Sequence, residues 1–285
     1  MFPTSNFFLQ RYETWGYPQS EVQLPTVVRI NRLKYPVGVP AFDNKIKLKA
    51  IKELKDSFIF TADFSPASTP AYLLGHIYVQ EIASQLAAIA LDPQQTDVVL
   101  DMCAAPGSKT TQIASMMNNK GMIVAVDNHT MRVQKLVNNL ERCGVTNVIA
   151  VRKDAQYVMD LNMEFDRVLL DAPCSGNFAI DKDWFEKRTK SGVQENARLQ
   201  KDLLQAAIDV TKIGGIIIYS TCSLETEENE NIVEPALDSG QVELVDCDLP
   251  FSFPGLTERT KKCNRFWPAQ SNTQGFFIAK LRKIK

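Results

Sequence analysis

The chain has 285 residues, enough for one large domain with a smaller companion, and its 45% hydrophobic content excludes a disordered or fibrous protein. A formal net charge of −1 excludes a protein that coats polyanions by bulk charge, while leaving room for a local basic face. No apolar run reaches the roughly 18 residues of a membrane span, and "MFPTSNFFLQRYE" lacks the basic and apolar regions of a signal peptide, so the expectation is a cytoplasmic monomer with reduced thiols.

Residues 1–75 are expected to form a small α+β domain. Short apolar stretches such as "PTVVRINRL" are interrupted by Pro18, Pro25, Pro36 and Pro40. Between Arg29 and Lys55 stand eight basic residues against Asp43 and Glu53. "FSPASTPAYLLG" (64–75) reads as an irregular linker and puts a boundary between about 68 and 76.

From there the pattern alternates. "HIYVQEIASQLAAIALD" (76–92) has helical spacing, "DVVLDM" (97–102) that of a buried strand, and "SKTTQIASMMNN" (108–119) is again helical. Then come "GMIVAVD" (121–127, strand), "HTMRVQKLVNNLERCG" (129–144, helix), and the strands "NVIAVRKD" (147–154) and "FDRVLLD" (165–171). "ENARLQKDLLQAAIDVTKIGG" (195–215) reads as a long helix capped by its Gly-Gly pair. "IIIYSTC" (216–222), "VELVD" (242–246) and "GFFIAKLRK" (275–283) read as strands. Such alternation predicts an α/β fold over 76–285, a doubly wound sheet with helices on both faces. A second basic run, Arg259 to Lys285, has eight cations and no acid, interleaved with Phe266 and Trp267. A solvated face explains either run alone; the two together point to a polyanionic partner.

In an open parallel sheet a ligand binds beyond the carboxyl ends of the strands. The first strand ends in "DMCAAPGSKT" (101–110), where Cys103, Ala104, Ala105, Pro106, Gly107, Ser108 and Lys109 lead into a helix N-terminus. A phosphate-binding P-loop fails because Cys103 and Ser108 stand where glycines belong, and the G-x-G-x-x-G dinucleotide pattern is absent. What remains is a loop that grips a nucleoside without a pyrophosphate, and S-adenosylmethionine fits. Asp127 comes 20 residues after Gly107, the spacing at which an acid accepts ribose hydroxyls. Asp154 and Asp171 end the next two strands; each is either a ligand contact or a helix cap. Arg132 either pairs with the methionine carboxylate or is an exposed helical arginine.

Six cysteines occur without C-x-x-C spacing, so no metal site is expected. Cys103, Cys143, Cys247 and Cys263 read as small buried hydrophobes. Cys174 and Cys222 follow strands whose ends should adjoin, on the rim where the methyl donor is expected. Carbon 5 of a pyrimidine is too weak a nucleophile to attack a sulfonium. A thiolate added at carbon 6 turns the ring into an enamine that can, so the fold gains from a rim cysteine. Lys109 is placed to favour a thiolate, and a protonated Asp171 to hydrogen-bond the ring.

The set "DMCAAPGSKTTQ", "AVDNHTMR", "FDRVLLDAPCSG" and "YSTCSLETEENE" closely resembles the Nop/Sun family of RNA cytosine-5 methyltransferases. "RINRLK", "GHIYVQEIAS" and "RFWPAQSNTQGFFIAKL" extend the resemblance over roughly 29–283. It implies a class I methyltransferase sheet, S-adenosyl-L-methionine as methyl donor and structured RNA as partner, tRNA before rRNA. It implies that Cys222 is the nucleophile and Cys174 assists product release. Cys103–Lys109, Asp127, Arg132, Asp154 and Asp171 would hold the donor, and Lys109 and Asp171 would also touch the cytosine. Residues 1–75 would help position the RNA. Ala269 departs from the family's usual histidine.

Overall fold

The computed structural model describes residues 4–17 and 22–285, with side chains from Phe7 onward; Pro18 lies outside the described residues. Helix α1 (Thr4–Thr14) places Phe8 and Tyr12 against Trp184 and Trp267. It therefore packs on the half of the chain expected to be catalytic, apart from the small sheet that follows it.

That sheet comprises β1 (Val27–Ile30), β2 (Lys47–Ala50), β3 (Ser57–Thr61) and β4 (Ile77–Val79), antiparallel in the order β2-β3-β1-β4. The expected linker at 64–75 is instead partly helical, with a 3₁₀ turn (Pro66–Ser68) and helix α2 (Pro70–Leu73), each started by a proline behind a capping hydroxyl, Ser65 or Thr69. The helix expected from residue 76 begins later, as α3 (Ile82–Leu91). Ile77–Val79 are claimed by pairing with Val28–Ile30, and Glu81, extended and capping the Ala83 and Ser84 amides, sets the start of α3.

The larger sheet and its helices follow as β5 (Val98–Met102), α4 (Ser108–Met116), β6 (Met122–Asp127), α5 (Thr130–Cys143), β7 (Val148–Arg152) and β8 (Phe165–Asp171). After it come α6 (Trp184–Lys187), α7 (Lys190–Val210), β9 (Thr211–Thr221), α8 (Glu230–Asp238), β10 (Val242–Val245), β11 (Phe253–Pro254), β12 (Asn264–Phe266), α9 (Pro268–Ser271) and β13 (Phe276–Lys283). The sheet runs β11-β12-β13-β9-β8-β5-β6-β7, with β10 also on β13; β5 to β9 are parallel and β13 is antiparallel to β9. Chain order reverses at β5, whose neighbours are β6 and β8, so the crevice at this switch point is the expected ligand site.

The Gly-Gly pair does not cap α7. The helix ends at Val210, and Gly214 and Gly215 lie within β9, where a Cβ on Gly215 would stand 2.9 Å from the Asp166 carbonyl oxygen. The Thr211 side chain at 2.7 Å and the Lys212 carbonyl at 2.8 Å are closer still, and Gly214 has a φ of +81°, so a tight bend within β9, not helix termination, is why glycine is needed there.

Neighbouring residues of each central strand serve opposite faces. Leu170 packs under Leu203, Leu204 and Ile208 of α7, while Leu169 meets Leu86 and Ala87 of α3 and Ile113 of α4. Each such buried side chain contributes about 1.5–3 kcal/mol. These two cores fix the strand ends against each other. Among the described residues no helix is long and apolar enough to cross a membrane.

Candidate active site

Beyond β5, β6 and β8 lies a cavity of about 320 Å³. Of the residues expected to hold a donor, Cys103, Ala105, Asp127, Arg132, Asp154 and Asp171 line it. Pro106 and Ser108 face a separate cavity, and Ala104 is buried behind the loop. Gly107, at φ +102°, starts α4, and a Cβ there would lie 2.8 Å from Leu136 Cδ1, so the loop can pass close to α5 only with glycine.

Asp127 is 1% exposed; its carboxylate accepts the Ala105 amide at 3.3 Å and the His129 amide at 3.1 Å. Arg132 pairs with it at 3.2 Å and donates to the Ala105 carbonyl at 2.8 Å. These two side chains brace the loop while facing the cavity. Asp154 caps the following 3₁₀ turn by accepting the Gln156 amide, so both its expected roles are compatible. Burial, joined by the charges of Asp171, Asp127 and Asp101, pushes the Cys103 thiol up to about 12, which makes it a wall and not a nucleophile. Burial likewise raises Asp101 to about 7, opposed by a hydrogen bond from Thr110.

Next to this cavity, Asp171 accepts Lys109 Nζ at 2.7 Å and Ser220 Oγ at 2.8 Å. Lys109 lies 5.5 Å from the centre of the Phe276 ring, its side chain 9% exposed against 30% for Asp171. The carboxylate is thus fixed by a buried ammonium and a hydroxyl while still reachable from outside.

Cys174 Sγ and Cys222 Sγ are 2.7 Å apart, both free thiols, and the Cys222 amide donates to Cys174 Sγ at 3.2 Å. They meet because β8 and β9 are hydrogen-bonded neighbours in register, Asp171 opposite Ser220. The hydrogen bond with Cys222 and burial push the Cys174 thiol well above its ordinary value, so it keeps its proton at neutral pH. Either thiol can donate to the other across this contact, so a charge on one sulfur finds a donor in its neighbour.

A profile of the family described as 16S rRNA methyltransferase RsmB/F matches residues 88–282. The chain belongs to this Nop/Sun family. A tRNA (cytosine(72)-C(5))-methyltransferase of Pyrococcus horikoshii is 40% identical over 241 residues, 85% of this chain and 57% of the relative. A tRNA (cytosine(49)-C(5))-methyltransferase of Pyrococcus abyssi is 37% identical, over 95% of this chain and 91% of the relative. A mouse 28S rRNA (cytosine-C(5))-methyltransferase is 39% identical over 93% of this chain but 36% of its own length. The chain therefore spans from about a third to just over half of several relatives it matches. The crystal structure of a methyltransferase homologue from P. horikoshii superposes with a TM-score of 0.81 at 38% identity, covering 93% of this chain and 88% of that one. That of NSun6 from P. horikoshii with SFG gives 0.86 at 26% identity, covering 100% and 98%.

This Nop/Sun site includes residues that strand-end reasoning passed over. Asn128, Gln156, Leu199 and Leu203 also line the cavity. The first two adjoin expected ligands in sequence; the leucines come from α7, whose apolar stripe looks like any core stripe. Glu228, fully buried, accepts the Ser175 amide at 2.9 Å and the Ser175 hydroxyl, and Gln200 donates to it at 3.2 Å. Gln200 also donates to the Pro173 carbonyl at 2.8 Å. Asn177 donates to the carbonyls of Cys222 and Gly275 at 2.8 and 2.9 Å. Together they hold both cysteine loops. Ala269, in place of the family's usual histidine, is exposed on α9.

The C-terminal basic run is paired in part: Lys262, Lys280, Lys283 and Lys285 make no ion pair among the described residues, and the other four do. Arg265 is wholly buried in a two-pronged pair with Glu230 at 2.7 and 2.5 Å, and Arg259, Lys261 and Arg282 pair with Asp238, Glu258 and Glu243.

Proposed function

We propose that this Nop/Sun protein methylates carbon 5 of a cytosine in RNA, with tRNA as substrate. The observation that carries this reading is the pairing of two thiols, 2.7 Å apart, beside the Asp171–Lys109 pair and a nucleoside-sized cavity.

The residues suit S-adenosylmethionine. Asp127, Asn128, Asp154 and Gln156 offer polar contacts for a nucleoside, while Ala155, Pro173, Leu199 and Leu203 offer an apolar wall. The Cys103–Ser108 loop allows close approach, and Arg132 lies near enough for a carboxylate. When bound, the donor supplies the methyl group.

The chain's own residues handle the cytosine. Cys222, as thiolate, adds to carbon 6, and the displaced electron pair enters the ring as an enamine. Asp171 is placed to hydrogen-bond nitrogen 3 or the exocyclic amine as charge develops, and Lys109 holds Asp171 in position. Once carbon 5 carries the methyl group, its proton must pass to water as the Cys222–carbon 6 bond breaks and returns the thiolate; Cys174 is assigned to assist by hydrogen-bonding the departing sulfur. The target base must be unstacked to reach the thiols, so a loop, junction or helix end is the expected site.

The tRNA assignment draws on the P. abyssi relative, which this chain covers almost end to end. The protein is proposed to act as a monomer in the cytoplasm. Nucleoside mass spectrometry tests the function: tRNA from a deletion strain, incubated with the protein and donor, should gain 5-methylcytidine. Gain of 5-methyluridine, or methylation of rRNA alone, would overturn the assignment.

A further inference from the structure

A second cavity, of about 400 Å³, lies where the N-terminal sheet meets the catalytic half. Its lining combines Arg29 and Ile30 of β1, Arg32, the Lys55–Asp56 turn, Ile89 of α3, and Gln112, Ser115 and Met116 of α4. None of these residues belongs to the donor cavity or the thiol pair.

Arg29 is the unusual member. It is only 5% exposed, and its partners are neutral: Nε donates to Gln80 Oε1 at 2.8 Å and Nη2 to Thr111 Oγ1 at 3.2 Å. Among the described residues no carboxylate pairs with it, whereas buried Arg265 has the two-pronged Glu230. Its third nitrogen, Nη1, makes no hydrogen bond among the described residues, and Arg29 lines the cavity. Burial lowers this guanidinium to about 10, which leaves it charged at neutral pH. A buried cation without a counter-charge costs several kcal/mol unless something else supplies the anion.

The surroundings repeat the sign. Arg32 and Lys55 make three cations against one carboxylate, Asp56, which Arg32 already occupies. Lys55 makes no ion pair among the described residues and is exposed at the mouth. Opposite stand Ile89 and Met116, 37% and 38% exposed, an apolar wall of the kind a sugar or base can lie against. The cavity borders α4, the helix that carries Lys109 about two turns earlier, or roughly 10 Å along its axis.

We infer that this junction is a phosphate-binding site for the RNA backbone, in which Arg29 and Lys55 take a phosphodiester near the target nucleotide. The inference deepens the proposed function and rests on it for the identity of the polyanion.

Two arms, run on the full chain, separate the sources of phosphate. In the first, inorganic phosphate replaces chloride at matched ionic strength, and the wild-type unfolding midpoint should rise by about 3 °C or more. Lys55→Glu should lose that rise. Lys52→Glu, the same charge change in the same turn but outside the cavity, should keep it. No greater rise in phosphate than in chloride, or equal loss in both variants, overturns the site.

In the second arm, substrate RNA carries single neutral methylphosphonate linkages. One linkage should weaken wild-type binding at least 5-fold and leave Lys55→Glu unaffected, and that variant's log–log salt slope should be shallower by about 0.7–0.9. If every linkage affects both proteins equally, the cavity takes free phosphate and the RNA assignment fails. Neither arm requires methylation. A phosphate rise in a protein that never methylates RNA would refute the function and spare the site.

Discussion

Replacing Asp101 with asparagine should stabilise the protein in alkali and do little in acid. Asp101 ends β5 beneath the donor loop, 1% exposed, with Thr110 donating to it at 2.6 Å. Burial raises its carboxyl from 3.8 to about 7. The unfolded chain releases this proton near 3.8 and the folded chain holds it to about 7, so the folded state carries the extra proton across that window. Stability therefore falls as pH rises through it. At 1.36 kcal/mol per unit, the burden grows from about 1.5 kcal/mol at about pH 5 to about 4 kcal/mol at about pH 8. An amide of the same shape keeps an acceptor for Thr110 and never ionises. For a chain of this size each kcal/mol moves the melting midpoint by about 2–4 °C. Thermal melts of both proteins should thus diverge by roughly 5–10 °C between the two pH values, with Asp101→Asn the more stable in alkali. A constant gap across pH, or a variant less stable at about pH 8, would refute the reasoning.

Lys109→Met should lower single-turnover methylation by about 10²–10⁴ while donor affinity, measured by calorimetry, changes little, because the 2.7 Å bond it removes positions Asp171. Glu230→Gln should cost about 3–5 kcal/mol in urea unfolding, since it leaves fully buried Arg265 without its counter-charge. Gly107→Ala should weaken donor binding about 10-fold by titration, through its φ of +102° and the 2.8 Å approach to Leu136.

The alternation of strand and helix made the catalytic sheet legible, because parallel strands buried on both faces leave continuous apolar runs such as "MIVAVD". Residue chemistry at strand ends then located Asp127, Asp171, Cys174 and Cys222 on one rim. Long-range pairing was harder to see. Ile77–Val79 continue the apolar spacing of α3 in sequence, and only their partners in β1 make them a strand. Gly214–Gly215 looked like a helix end because the need for glycine, a bend in β9 crowded by Thr211, Lys212 and Asp166, exists only in the folded sheet. One member of a charge run was hidden for a similar reason: Arg265 is counted with exposed cations until Glu230 is found beside it. Between the two thiols, sequence alone left the roles open and resemblance chose Cys222. The 2.7 Å contact between them is symmetric, so geometry alone does not rank the two thiols.

The central claim, covalent attack by Cys222, is tested most directly with RNA carrying 5-fluorocytidine at the target position. Fluorine cannot leave carbon 5 as a proton does, so an adduct, once methylated, stays on the protein. With donor present, the wild-type protein should give a slow-migrating species on denaturing gels, and peptide mapping should place the RNA on Cys222. Cys174→Ala should still form it, and Cys222→Ala should form none. An adduct that survives in Cys222→Ala, or maps to Cys174, would contradict the account.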